Sequence, residues 1–175
     1  MNESFRVAES GDAENLSRLV NSAYRGESSR RGWTTEADLL GGQRTDPDTL
    51  RELISSNSNA ILLMHSDADL IACVFLQEKA ESVYLGMLTV LPHWQARGIG
   101  RRLLAAAENW VFENWCCQRV EMTVIRQRSE LIAWYERRGY VNTHRTEPFP
   151  YGDEKFGLPK RPDLEFVVLE KHLCH

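Results

Sequence analysis

LGMLTVLPHWQARGIGRRLLAAAENW, residues 85–110, carries three pieces in a fixed order. Its apolar start belongs to the run 83–91 (VYLGMLTVL), β-prone and short enough to be a buried strand. Pro92 stops that strand, because proline has no N–H to donate to a ladder. After the turn HWQARGIG, residues 101–117 read as an amphipathic helix with Leu103, Leu104, Ala107, Trp110 and Val111 on one broad face. Gly98 and Gly100 remove side chains where the chain enters the helix, so the backbone can approach a ligand closely. The first amides of that helix lack intrahelical partners and sit at the positive end of its dipole. With Arg97, Arg101 and Arg102 beside them, these amides describe a site for an anion, most naturally a phosphate or pyrophosphate.

A glycine pair before a helix also fits a plain turn, so the wider string matters. No G-x-x-x-x-G-K-[ST] is present, and the dinucleotide fingerprint fails at its third glycine, where Leu103 stands. The string Val90-x-Pro92-x-x-Gln95-x-x-Gly98-Ile99-Gly100-x-x-Leu103-Leu104 closely resembles the acyl-CoA-binding motif of the GNAT superfamily of N-acetyltransferases. That resemblance implies acetyl-CoA as co-substrate. It places the pyrophosphate on Gln95, Ala96, Arg97, Gly98, Ile99, Gly100 and Arg101. It places the pantetheine arm on the strand edge Leu88, Thr89 and Val90.

At 175 residues the chain reads as a single domain over 1–175. The formal net charge of −4 argues against a nucleic-acid partner. There is no run of about 18 apolar residues for a membrane span, and the N-terminal MNESFRVAES has no signal-like stretch. A soluble, cytoplasmic protein is the expectation, with a homodimer left open. The cysteines at 73, 116, 117 and 174 form neither a disulfide framework nor a C-x-x-C motif and read as reduced thiols. The tail His172-Leu173-Cys174-His175 offers too few ligands for a built metal site, and no metal is expected.

Taken in order, 5–8 is a short strand, and Ser10 and Asp12 offer caps for a helix from about Asp12 to Tyr24. The stretch 25–47, RGESSRRGWTTEADLLGGQRTDP, is glycine-rich and of mixed charge, with Thr35 as a cap for a short helix from Glu36 to Leu40 that Gly41 ends. Residues 48–56 form a second helix. Strands follow at 60–64 and 70–76, then the central strand, and three strands without an intervening helix imply antiparallel pairing. Residues 119–125 make a further strand through a right-handed crossover. Ser129 caps a helix over 130–138 closed by Gly139. After a strand near 140–144 comes an ordered but irregular excursion over 145–163, and 164–170 is the last strand.

The order β-α-α-β-β-β-α-β-α-β-β again looks like GNAT: an α/β (α+β) fold with a mixed, mostly antiparallel central sheet flanked by helices. The helix ending in Tyr135-Glu-Arg-Arg-Gly139-Tyr140 resembles the family's second signature, L-Y-x-x-x-G-F. It departs where the family often carries Asn, seven residues before the Tyr. Arg128 stands there and is expected to meet a CoA phosphate instead. By the same resemblance Tyr135 donates a proton or hydrogen bond to the departing sulfur.

An amine of pKa ~10.4 is neutral in roughly one molecule in 2500 at pH 7, so its proton needs an acceptor. Glu36 and Asp38 are the candidate bases, with His93 behind them. Trp33, Glu36, Asp38 and Tyr24 are the candidate acceptor contacts, on the ground that long loops in small domains are commonly functional. Two readings stand. One is an N-acetyltransferase acting on a small-molecule or peptide amine. The other is a CoA-binding sensor or regulatory module without turnover.

Overall fold

Positions 60–64 and 70–76 are apolar with little alternation because the sheet they enter is covered on both faces. The computed structural model describes residues 2–25, 30 and 35–174. Its strands are β1 (Glu3–Val7), β2 (Leu40–Gly41), β3 (Asn59–Ser66), β4 (Asp69–Glu78), β5 (Val83–Val90), β6 (Arg119–Ile125), β7 (Val141–Pro148), β8 (Leu158–Pro159) and β9 (Glu165–His172). The helices are α1 (Ala13–Tyr24), α2 (Pro47–Ser55), α3 (Ile99–Trp115) and α4 (Ser129–Glu136). Seven strands form one sheet in the order β1-β3-β4-β5-β6-β9-β7, and β2 and β8 pair separately. Every pairing in the large sheet is antiparallel except β5 with β6.

Alternate side chains of β3 serve different cores. Ile61 and Leu63 pack with Leu16, Leu19 and Val20 of α1 and Leu50 of α2. Ala60, Leu62 and Met64 pack on the opposite face with Leu103, Leu104, Ala107 and Val111 of α3 and Tyr135 of α4. The mixed, mostly antiparallel sheet flanked by helices is therefore the observed architecture, in the expected element order apart from the two short strands.

The expected boundaries moved where local chemistry differs. Gly98, at φ +75°, starts α3 two residues early, and Cys116, also left-handed at φ +52°, ends it. Neither Ser10 nor Ser129 caps a helix: a 3-10 turn spans Ser10–Asp12, and Ser129 already lies inside α4. The expected helix over 36–40 is a turn, in which the Leu39 and Leu40 amides both donate to the Glu36 carbonyl, at 2.9 and 2.8 Å. It cannot propagate, because Leu40 and Gly41 pair with Pro159 and Leu158. The excursion expected over 145–163 is regular at its start, since β7 runs to Pro148.

Two irregularities shape the middle of the sheet. β5 and β6 pair only at Val83↔Val120 and Tyr84↔Glu121, then diverge. Between β4 and β5 the register slips: Cys73 faces Thr89 while Phe75 faces Gly86, so β5 carries one extra residue. Met87 takes that bulge in the left-handed region at φ +54°, and the Thr89 hydroxyl donates to its carbonyl at 2.8 Å. At Gly86 a β-carbon would lie 2.8 Å from the Tyr84 ring, which is why that position holds no side chain.

Asp46 caps α2, accepting from the Thr49 amide at 2.9 Å with Pro47 behind it. Asp46→Ala is expected to lower stability by about 1 kcal/mol in denaturant titration with an unchanged slope. An unaltered midpoint would mean the cap contributes nothing.

Candidate functional site

The divergence of β5 from β6 opens a cleft through the molecule, and two cavities meet in it. The first, of about 350 Å³, runs from the Gln95–Arg101 turn along Leu88, Thr89 and Val90 to Tyr135. The second, of about 560 Å³, lies on the other side of the bulge, against β6 and the late excursion. Tyr24, Leu88, Arg128, Leu131 and Tyr135 border both.

The turn is built for close approach. Ala96 and Gly98 have φ of +61° and +75°. The Gln95 side chain donates to the Val90 carbonyl at 3.0 Å, tying the turn to the end of β5. The Arg102 amide bonds the Gly98 carbonyl at 3.1 Å, so the amides ahead of it have no carbonyl one helical turn back. A β-carbon at Gly100 would meet the Trp134 ring at 3.4 Å. These features fit a pyrophosphate.

The cations around the turn divide unexpectedly. Arg101 lines the first cavity, but Arg102 is held by Glu3 at 2.7 Å and Arg97 lies over the Trp94 ring, 5.2 Å from its centroid. Their places are taken by Arg137 and Arg138, which the sequence reading did not single out. Arg138 lies 3.7 Å from the Trp134 ring centroid and donates to the Trp134 carbonyl at 2.8 Å. Burial, and then repulsion from Arg137 and Arg101, lower its pKa. Three like charges at one mouth favour an anion between them. The Arg137-Arg138 pair just before Gly139 was the available signal.

Tyr135 is buried, borders both cavities, and stands edge-on to Trp134 and Tyr140 at centroid distances of 5.1 and 5.7 Å. Burial raises its pKa, so it remains a phenol able to donate. Tyr24 donates its hydroxyl to the Leu88 carbonyl at 2.7 Å, and burial pushes its pKa up to about 12. One lone pair of that carbonyl is thus taken by the protein itself, leaving the other for a ligand.

The acidic candidates are placed differently from expectation. Glu36 is buried, and both its oxygens are engaged: Oε2 by Arg25 Nη2 at 3.0 Å and Oε1 by Arg128 Nη1 at 3.0 Å. Burial alone would raise its pKa, but Arg128, Arg25 and Arg44 together hold it below the usual carboxylate range. A carboxylate so held does not take up an amine's proton at neutral pH, so Glu36 is a structural anion rather than a base. Arg128, expected to meet a CoA phosphate, gives its Nη1 to Glu36 and also lines the first cavity. Asp38 is paired with Arg30 at 2.6 Å, its side chain 71% exposed, and borders neither cavity. His93 is exposed and borders neither. Trp33 lies outside the described residues.

Glu36→Gln should cost about 3–5 kcal/mol at neutral pH, because it strands buried guanidinium groups. Glu36 has a depressed folded pKa, so its contribution is present above pH 4.5, the ordinary value, and is lost as pH falls through the folded one. The gap in Tm between wild type and variant should therefore close on acidification. A gap of constant size down to pH 3 would refute the assignment.

The comparisons bear on the fold and the family. A family model described as the acetyltransferase (GNAT) family matches residues 19–140. Among solved structures, the ribosomal-protein-S18-alanine N-acetyltransferase from Escherichia coli superposes with a TM-score of 0.72 at 14% identity, covering 99% of this chain and 96% of that one. The PaiA N-acetyltransferase from Thermoplasma acidophilum, in complex with coenzyme A, gives 0.68 at 18% identity over 99% and 100%. A variant spermidine N-acetyltransferase from Vibrio cholerae gives 0.69 at 16% identity over 97% and 93%. No curated protein matches in sequence. At these identities the structures speak for the fold, and the family match for kinship: the chain belongs to the GNAT family of acetyltransferases.

Proposed function

We propose that the chain transfers an acetyl group from acetyl-CoA to a primary amine by direct attack. The observation that carries this is the first cavity, which joins an anion-binding helix start to a buried tyrosine along an unpaired strand edge. The helix-start amides and Arg101, Arg137 and Arg138 hold the pyrophosphate. The β6-side edge of β5 beyond Tyr84 pairs with no strand among the described residues and takes the amide groups of the pantetheine arm as an added strand would. The acceptor enters from the second cavity. Its nitrogen lone pair forms the C–N bond, the C–S bond breaks, and the sulfur leaves as thiolate. Tyr135 meets that thiolate with its hydroxyl. A phenol with a raised pKa does not surrender its proton outright to a thiolate of pKa ~8.5, so it acts as a hydrogen-bond donor, and the proton lost by the amine restores the thiol.

Two measurements test the reading. Gly98→Val should abolish acetyl-CoA binding in calorimetry while the chain stays folded, since a branched side chain at φ +75° is strained and fills the turn. Tyr135→Phe should lower kcat by roughly 10²-fold with the KM for acetyl-CoA little changed. Wild-type kcat in the Phe variant, with chemistry limiting, returns Tyr135 to packing. Acetyl-CoA binding without turnover of any amine would leave the chain a CoA-binding module.

A further inference from the structure

We propose that the acceptor is a small amine that also carries a carboxylate, of the amino-acid class, and that Arg44 holds its anionic end. This rests on the acetyl-transfer reading above and adds the substrate class. The second cavity has a strongly one-signed end. Arg25, Arg44 and Arg128 line it together with a single carboxylate, Glu36. The two oxygens of Glu36 are spent on Arg25 and Arg128. Arg44 makes no ion pair among the described residues; its guanidinium rests 5.5 Å from the centroid of the Tyr24 ring. Among the described residues the cluster thus sets three cations against one anion in a partly enclosed cavity, an arrangement that favours an incoming anion. A guanidinium fork matches a carboxylate in geometry as well as charge.

Arg44 is positioned rather than merely nearby. Asn21 of α1 accepts from the backbone amides of Arg44 and Thr45 at 2.7 and 3.1 Å and donates to the Thr45 carbonyl at 2.9 Å. This amide clamp fixes a stretch of loop that has no ladder of its own. The same Tyr24 that carries Arg44 on its ring face bonds Leu88 at the bulge with its hydroxyl. The anion site is therefore one aromatic ring away from the place where β5 presents its free edge. An acceptor whose carboxylate and amine are a few bonds apart spans that separation. The remaining carboxylates among the described lining residues are Glu121, opposite Tyr84 on β6, and Glu147 on β7, two strands across from Ile125. A polyamine, cationic throughout, would place charge against Arg25, Arg44 and Arg128.

The experiment is a steady-state acceptor panel with acetyl-CoA: free α- and ω-amino acids, the matched amines lacking the carboxylate, and diamines. Carboxylate-bearing amines should exceed their matched amines in kcat/KM by at least tenfold. Arg44→Gln should collapse that ratio toward one, Arg44→Lys should restore part of it, and the Tm of both variants should show them folded. Equal or better turnover of diamines or carboxylate-free amines overturns the proposal, as does a ratio that survives Arg44→Gln. Acetyl-CoA binding without turnover of any carboxylate-bearing amine also overturns it, leaving the coenzyme site intact. Failure of acetyl-CoA to bind at all overturns the underlying reading instead.

Discussion

β5 and β6 are held together at two residues and then part, and most of what the chain can do follows from that separation. A parallel pair that continued would bury the β5 edge in a ladder and leave no cleft. The extra residue in β5 bends the strand away from its neighbour, at the strain of a left-handed methionine, Met87. Three contacts sustain the distortion: Thr89 on the Met87 carbonyl, Tyr24 on the Leu88 carbonyl, and Tyr84 folded over Gly86 toward Thr123 at 3.4 Å. The first orders the bulge from within, the second from α1, and the third spans the gap to β6.

Beside the second cavity the chain returns to itself three times. The loop after α1 is fastened to α4 through Glu36 and Arg128, to its own next turn through Arg25 and the Gly41 and Gln43 carbonyls, and to the late excursion through Lys160 on the Ala37 carbonyl at 2.6 Å. A β-carbon at Gly157 would collide with the Arg25 guanidinium, so the excursion presses directly on this network. The ion pairs are expensive to bury and do not by themselves make the protein stable. Their evident effect is register: they fix a segment of little regular structure at a defined distance from the bulge.

The two ends of the cleft are both basic, but for different chemistry. At the helix start, Arg101, Arg137 and Arg138 line the cavity together with the Gln95–Gly100 turn. At the far end, an over-compensated carboxylate leaves Arg44 to face the cavity from the surface of an aromatic ring. Between them lie Tyr135 and the bulge, which are uncharged. Arg128, paired with Glu36, brings charge to that junction, bordering both cavities together with Tyr135.

Sequence alone settled the strand–turn–helix unit around Gly98, the antiparallel run of β3 to β5, and the presence of a helix before Gly139, though not its end at Glu136, because each is written in local periodicity, proline or glycine. It also showed the Gln95–Gly100 turn at the start of α3, whose residues are contiguous. It did not foresee the pairing of Glu36 with Arg128, 92 positions apart, because a carboxylate in a polar loop looks solvated until a distant arginine is brought against it. It passed over Arg44 and Asn21, whose relation exists only when the loop lies along α1. The bulge at Met87 left no local mark, since the extra residue is defined only against the strand opposite. Local propensities are short-range and survive in the text of the chain; ion pairing, burial and strand register are properties of the contact, and only the tertiary structure decided them.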